Sequence, residues 1–544
     1  MLNKFIKMGL ENYRYESAEE IQTFHSTLVS TFRTGQTRDI AWRKWQLKQL
    51  WWLVEDNEQA ILDAIKDDLN RSEVESYLTD LAGIRKDILY HLDNIDAWAA
   101  DEKIGDSFIA RRLGLARIRK EPLGLVLIIG AWNFPVLLVL QPLIAAITAG
   151  CCAIIKPSEI TVACQNLLRD LVTQYLDPTA IRLVCAGVPE TTKLLELPFN
   201  YIFFTGSANV GRHISAAAAI HLTPVTMELG GQSPAIIGQS ADVERAAKCI
   251  AYCKFLNAGQ ICLAVNHVFV DPAVHDAFVD RLQYWNNQFL NGEQTITTAI
   301  VSRQHWDRLF SLLYQTKGTI LCGAGGSDES HRMEPTVVVE LDMNDALLAE
   351  EIFGPICPVV KADVRQACQA INGREHPLAL YIFSSDSSEI QNILDNTNSG
   401  GVTLNDVILH AGFPGAPFGG VGGSGHGYYH GSYGFKTFSH LRTVVSSPKW
   451  FDRLLAFRYP PFDAAKKSKI PQTKAKFKRG KQSRINGVKG LEWLGPNLQL
   501  PQLFVGLPFI ITPTPNDTAY VLRNHNKGDQ LSDCPKSASS FHFI

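Results

Sequence analysis

Two residues in this chain are best suited to do chemistry. They are Cys262, in Asn257-Ala-Gly-Gln-Ile-Cys-Leu-Ala264, and Glu228, in Met227-Glu-Leu-Gly-Gly-Gln-Ser-Pro234. A thiol supplies a polarizable nucleophile, and a carboxylate beside an apolar run can be tuned into a general base. Together they suggest covalent catalysis followed by hydrolysis. One cysteine among eleven says little by itself, because free cysteine usually behaves as a small buried hydrophobe. Glu228 alone reads equally well as a strand-ending acid in a salt bridge.

A third segment, Phe203-Phe-Thr-Gly-Ser-Ala-Asn-Val-Gly211, places a strand before Gly206 and a helix after Asn209. Gly206 and Gly211 permit close backbone approach, and the N-terminus of that helix offers unpaired N–H groups to a pyrophosphate. The spacing is not G-x-G-x-x-G, so a plain strand-to-helix turn stays open. Asn133, in Gly130-Ala-Trp-Asn-Phe-Pro135, is an amide that can donate to an oxyanion or cap the helix after Pro135.

These residues need elements to hold them. From Ser17 to Ala100 the pattern is charged and helical, with Trp42, Trp45, Trp51 and Trp52 spaced for one face of an amphipathic helix. From Leu123 to Ile155 there is no Asp, Glu, Lys or Arg, a run long enough for a membrane span. Trp132-Asn-Phe-Pro135 and Gln141-Pro142 interrupt it, which predicts a buried strand over 123–129, a turn, and a buried helix over 136–149. Strands over 152–156, 181–185 and 201–205 alternate with helical stretches, the pattern of parallel βαβ units. A second set follows: strand 235–237, helix 243–255, strand 265–270, helix 273–290, and strands near 336–340 and 380–383. The expected fold is α/β, with a Rossmann-type cofactor domain and an α/β catalytic domain facing each other across a cleft.

MELGGQSP, NAGQICLA, Gly130-Ala-Trp-Asn-Phe-Pro135 and Glu351-Ile-Phe-Gly-Pro355 together resemble the aldehyde dehydrogenase superfamily, in that family's order. Pro417-Phe-Gly-Gly-Val-Gly-Gly-Ser-Gly425 and Tyr429-His-Gly-Ser-Tyr-Gly-Phe-Lys-Thr-Phe-Ser-His440 look like its family 3 branch, which includes fatty aldehyde dehydrogenases. The resemblance covers roughly residues 20 to 460. It implies oxidation of medium or long-chain aliphatic aldehydes to acids with NAD or NADP. Cys262 would attack the aldehyde, and the Asn133 amide with the Cys262 backbone N–H would stabilise the oxyanion. Hydride would pass to the nicotinamide to leave a thioester, and Glu228 would activate water to release the acid. An ordinary thiol is only a few per cent ionised at pH 7, so cofactor charge or a helix end must favour the thiolate.

By the same resemblance, Gly206, Ser207 and Gly211 form the cofactor loop. Lys156 and Glu159, in Ile155-Lys-Pro-Ser-Glu159, meet the adenosine ribose, and Glu351 and Phe353 hold the nicotinamide ribose and ring. Asn405 is a weaker candidate, for a structural hydrogen bond near the cleft. No metal is implied. A glycine-rich stretch, Gly412 to Gly434, carries too many aromatics for a linker and reads as an ordered loop at the substrate entrance. It leads to a short strand near 435–440 that would pair with a second subunit in a homodimer.

The domains implied are 1–232 (N-terminal helices and cofactor binding), 233–430 (catalytic), 431–461 (oligomerisation and return) and 462–544 (basic tail). A net charge of −2 gives no global attraction to nucleic acid. The N-terminus lacks a secretory apolar segment, which points to a reducing cytoplasmic setting with free thiols. Between Lys466 and Arg484 stand nine basic and no acidic residues. Beside the apolar run Leu503–Ile511, that tail suits either a solvated segment or weak binding to an anionic intracellular membrane surface. Two alternatives are an enzyme oxidising an apocarotenal-type polyene aldehyde, and a non-catalytic protein tethered to membrane or nucleic acid.

Overall fold

The computed structural model describes residues 14–104, 116–290, 298–468 and 470. The chain divides into two units on either side of Asp452, and every site below lies in the first. In the second unit, Ala456–Arg458 and Ala464–Lys467 are short helical turns. The basic run beyond Ile470 and the apolar run Leu503–Ile511 lie outside the described residues.

The N-terminal region is helical, as its pattern predicts. Ser17 and Glu20 close a capping box at the start of Ala18–Thr34, satisfying N–H groups the helix cannot pair internally. Helix Ile40–Asp56 corrects the tryptophan reading. Its buried face is Leu47, Leu50, Leu53 and Val54, with Trp42 and Trp51 partly buried against the core and Trp45 and Trp52 exposed. The leucine spacing, not the aromatic spacing, follows the helical repeat across the core.

The first sheet runs in the order Gly425–His426, Val225–Glu228, Tyr201–Thr205, Leu125–Ile129, Cys152–Lys156, Ile181–Leu183. All pairings are parallel except that of Gly425–His426 with Val225–Glu228. Leu125–Ile129 and Cys152–Lys156 are buried at every position, as a sheet covered on both faces requires. The uncharged run resolves into strand Leu125–Ile129, a turn, and helix Leu137–Ala149. No described helix is long and apolar enough to cross a membrane.

The second sheet has seven strands, ordered Thr319–Cys322, Thr336–Val339, Ile356–Lys361, His267–Val270, Pro234–Ile237, Ala379–Phe383, Gly401–Leu404. Only Thr319–Cys322 runs antiparallel. Each sheet has its own apolar core.

A third sheet joins Glu102–Lys103, Ala116–Pro122 and Ser439–Val445, all antiparallel. Here the expected strand near 435–440 is displaced. Gly431–Thr437 is a helix, and the strand begins at Ser439. Phe435 and Phe438 are both buried, one against Trp98 and the other against Phe203, an i,i+3 spacing that a helical turn places on one side. The strand expected over 181–185 also ends early, at Leu183.

Candidate active site

Register sets the site. In the first sheet Ile129 pairs with both Lys156 and Phe204, and Thr205 pairs with Glu228. The segments carrying Asn133, Lys156, Gly206 and Glu228 therefore leave the carboxyl ends of four adjacent strands, where parallel α/β sheets bind ligands. From the second sheet come the stretches just before its amino ends: Cys262 precedes His267–Val270, and Glu351 and Phe353 precede Ile356–Lys361.

Glu228 ends its strand fully buried, and among the described residues neither carboxylate oxygen meets a hydrogen-bond donor. Burial alone holds its carboxyl well above the usual range. Cys262 is half-buried. Its thiol is pushed up to about 12, first by burial and then by the nearby charges of Glu351 and Glu228, against the backbone N–H groups of Leu263 and Cys262. Burial thus disfavours the charged form of both groups.

The Cys262 turn is unusual in backbone. Asn257, Ala258 and Gly259 all have positive φ, at 50°, 50° and 68°. Gln260 ties the turn down, donating to the carbonyls of Asn257 (3.1 Å) and Ala299 (3.0 Å) and accepting from the Val301 N–H (3.0 Å). The Asn133 side chain is buried and donates to the Gln260 carbonyl at 3.2 Å, so the Asn133 turn and the Cys262 turn are in direct contact.

Glu351 lies over the glycines that follow Glu228, since a Cβ on Gly230 would stand 2.2 Å from its carboxylate. Burial raises it to about 7, opposed by the Gly231 N–H, Arg308 and Lys254. The Phe353 ring meets Trp132, beside Asn133, edge-on at 5.3 Å. Arg308, which carries no motif, fixes this loop by donating to the carbonyls of Glu351 (3.3 Å) and Ile352 (2.6 Å).

Ser207 caps helix Ala208–Ile220 by accepting from Val210 N–H. Gly211, on that helix, faces the end of the Glu228 strand, where a Cβ would sit 3.1 Å from Leu229 and 3.5 Å from Met227. A cleft of about 610 Å³ joins Ala208 and Arg212 on this helix to Gly230, Gly231 and Glu351. The ammonium of Lys156 and the Glu159 carboxylate bond each other at the end of their strand. Asn405 brackets Ser384, accepting from its N–H at 3.0 Å and donating to its carbonyl at 2.9 Å.

Comparison with known proteins decides the family. The sequence profile described as Aldehyde dehydrogenase family matches residues 14–444. The chain belongs to the aldehyde dehydrogenase family. It is 40% identical over 463 residues to beta-apo-4'-carotenal oxygenase of Neurospora crassa, covering 84% of this chain and 86% of that protein. It is 40% identical to aldehyde dehydrogenase family 3 member A2 of Mus musculus, over 81% of this chain and 91% of the relative. Among solved structures, the substrate-bound state of Staphylococcus aureus AldH matches with a TM-score of 0.76 and 35% identity, over 81% of this chain and 99% of the other.

This aldehyde dehydrogenase is an enzyme of the family 3 type that oxidises aldehydes to carboxylic acids with NAD or NADP. The non-catalytic alternative gives way to that reading. Arg308, Asn257 and the pair Arg71–Asp80 went unread in the sequence. Only Asn257 carried a signal, since asparagine, like the Gly259 two positions on, readily takes left-handed backbone.

Proposed function

We propose that this aldehyde dehydrogenase acts on medium and long-chain aliphatic aldehydes through Cys262 as nucleophile, Glu228 as base and Asn133 as oxyanion donor. What supports this most is the position of Glu228, a buried carboxyl with no hydrogen-bond donor among the described residues, near enough to Cys262 that ionising one disfavours ionising the other. Such a group costs stability, and carboxyls perturbed in this way cluster at functional sites.

In this reading, Cys262 Sγ adds to the aldehyde carbon, and the oxyanion meets Asn133 Nδ2 and the Cys262 N–H. Asn133 Nδ2 can keep its bond to the Gln260 carbonyl through one hydrogen and offer the other to the oxyanion. The nicotinamide cofactor supplies the hydride acceptor. Glu228 takes a proton from the water that hydrolyses the Cys262 thioester. For the cofactor, the residues fit. The start of helix Ala208–Ile220 offers N–H groups to the pyrophosphate, with Gly206 and Ser207 just before it; Gly211 lets the helix pack close on the Glu228 strand, and the cleft continues to Glu351. Glu351 and Phe353 would hold the nicotinamide half, and Lys156 with Glu159 the adenosine ribose.

We assign residues 1–232 to cofactor binding, 233–430 to catalysis, 431–461 to oligomerisation and 462–544 to a tail with weak affinity for anionic membrane surfaces. The setting is cytoplasmic. The dimeric, NADP-preferring aldehyde dehydrogenase of Canis lupus familiaris, 38% identical over 79% of this chain and 96% of its own, supports a homodimer. The Neurospora crassa relative favours a second substrate reading, a polyene aldehyde of the apocarotenal type.

Purified enzyme with NAD(P) tests the assignment, using hexadecanal and a polyene aldehyde at equal concentration. Faster turnover of hexadecanal is expected, and the reverse order moves the substrate to the polyene class. With either aldehyde, Cys262→Ser should abolish NAD(P)H production; undiminished production removes the nucleophile.

A further inference from the structure

A fully buried ion pair stands behind the site, and its bonds run to both reacting segments. Arg71 and Asp80 have no exposed side-chain surface, and their charged groups bond each other. Both come from the N-terminal helical region, outside either sheet. Arg71 Nη1 donates to the Asn133 carbonyl at 3.0 Å and to Asn257 Oδ1 at 3.2 Å. Asn257 Nδ2 then donates to the same Asn133 carbonyl and to the Gln260 carbonyl, each at 3.0 Å. On the other side, Asp80 Oδ1 accepts from the N–H groups of Val136 (3.1 Å) and Leu137 (2.9 Å), where the helix after Asn133 begins. The Arg71 guanidinium also lies 5.4 Å from the centroid of the Phe134 ring.

Such a pair is expensive to desolvate and by itself a poor device for stability. What it does supply is position. The planar fork of arginine holds two acceptors and a carboxylate at fixed angles, which a lysine cannot do. One acceptor belongs to the oxyanion-donor turn, and the other belongs to the left-handed turn that leads to Cys262. We propose that Arg71, paired with Asp80 and acting through Asn257, is a positioning group that keeps Asn133 and Cys262 in register for attack on the aldehyde. It touches no substrate. The inference rests on the roles of Cys262 and Asn133 proposed above.

The test is a double-mutant cycle on the full-length enzyme, reading the rate of the first-turnover burst of NAD(P)H and the KM for cofactor. Arg71→Lys keeps the charge but loses the fork. It should slow the burst about 10-fold or more, as misplacement of reacting groups does, with cofactor KM changed less than about 2-fold. In an Asn133→Ala background the same substitution should slow the burst less than about 2-fold further, because the group it positions is gone. Equal losses in both backgrounds, or a normal burst in Arg71→Lys, overturn the proposal. A fast burst in Asn133→Ala alone also overturns it, and shows that the fault lies in the role given to Asn133. A normal Arg71→Lys beside a slow Asn133→Ala faults the ion pair only. Should Arg71→Lys fail to fold, Asn257→Asp replaces it in the cycle. It tolerates the left-handed backbone and still accepts from Arg71, but has no N–H for the Asn133 and Gln260 carbonyls. The same two patterns of loss then decide.

Discussion

At the scale of single residues, Glu228 bears a cost that can be measured. Its carboxyl is held above the usual range by burial, so the folded protein binds a proton there more tightly than the unfolded chain does. Stability from such a group is complete below the unfolded pKa and is lost as pH rises through the folded value. Glu228→Gln removes the titration. It should melt on the order of a few degrees above the parent at pH 8, with the gap closing toward pH 4.5. A gap independent of pH would show that the carboxylate is not buried in solution as it is here. The same proton sets the kinetics: deacylation needs the ionised base, so the rate of acid release should rise with pH above the ordinary carboxylate range and that dependence should vanish in Glu228→Gln.

The elements explain why so much of the site was legible and some of it was not. Strand–turn–helix alternation located the cofactor sheet, because parallel strands covered on both faces must read as apolar runs such as Leu125–Ile129. Cys262 and Glu228 stood out because thiol and carboxylate chemistry is local to motifs. Arg71 and Asp80 did not, since their partners are distant in sequence and a charged pair in a helical region usually faces water. Helix Gly431–Thr437 reads from sequence as the end of a loop and the start of a strand because its glycines and aromatics hide the helical repeat, which the packing of Phe435 and Phe438 reveals. One glycine of that rich stretch has a clear structural demand. Gly425 pairs with Glu228 at φ +129°, and a Cβ there would stand 1.9 Å from the Met227 carbonyl oxygen. Gly425→Ala should therefore destabilise the fold by about 1–3 kcal/mol. Chemical denaturation checks this, and an unchanged midpoint would mean that the pairing does not hold the Glu228 strand.

For the whole molecule, the third sheet is where assembly is expected. Ser439–Val445 pairs with Ala116–Pro122 along one edge and stands at the sheet's end, with Leu441 and Val445 exposed. An edge strand with exposed apolar side chains invites a partner. Lysine at both positions, Leu441→Lys with Val445→Lys, should convert a dimer to monomers in sedimentation, and a dimer that persists would place the interface elsewhere. Everything else in the account depends on one covalent event at the cleft between the two larger sheets. The direct measurement is mass spectrometry of Glu228→Gln enzyme quenched after mixing with aldehyde and NAD(P). We predict an acyl adduct on the peptide containing Cys262, formed with one equivalent of NAD(P)H. Enzyme that makes NAD(P)H without an adduct on that peptide would contradict the mechanism.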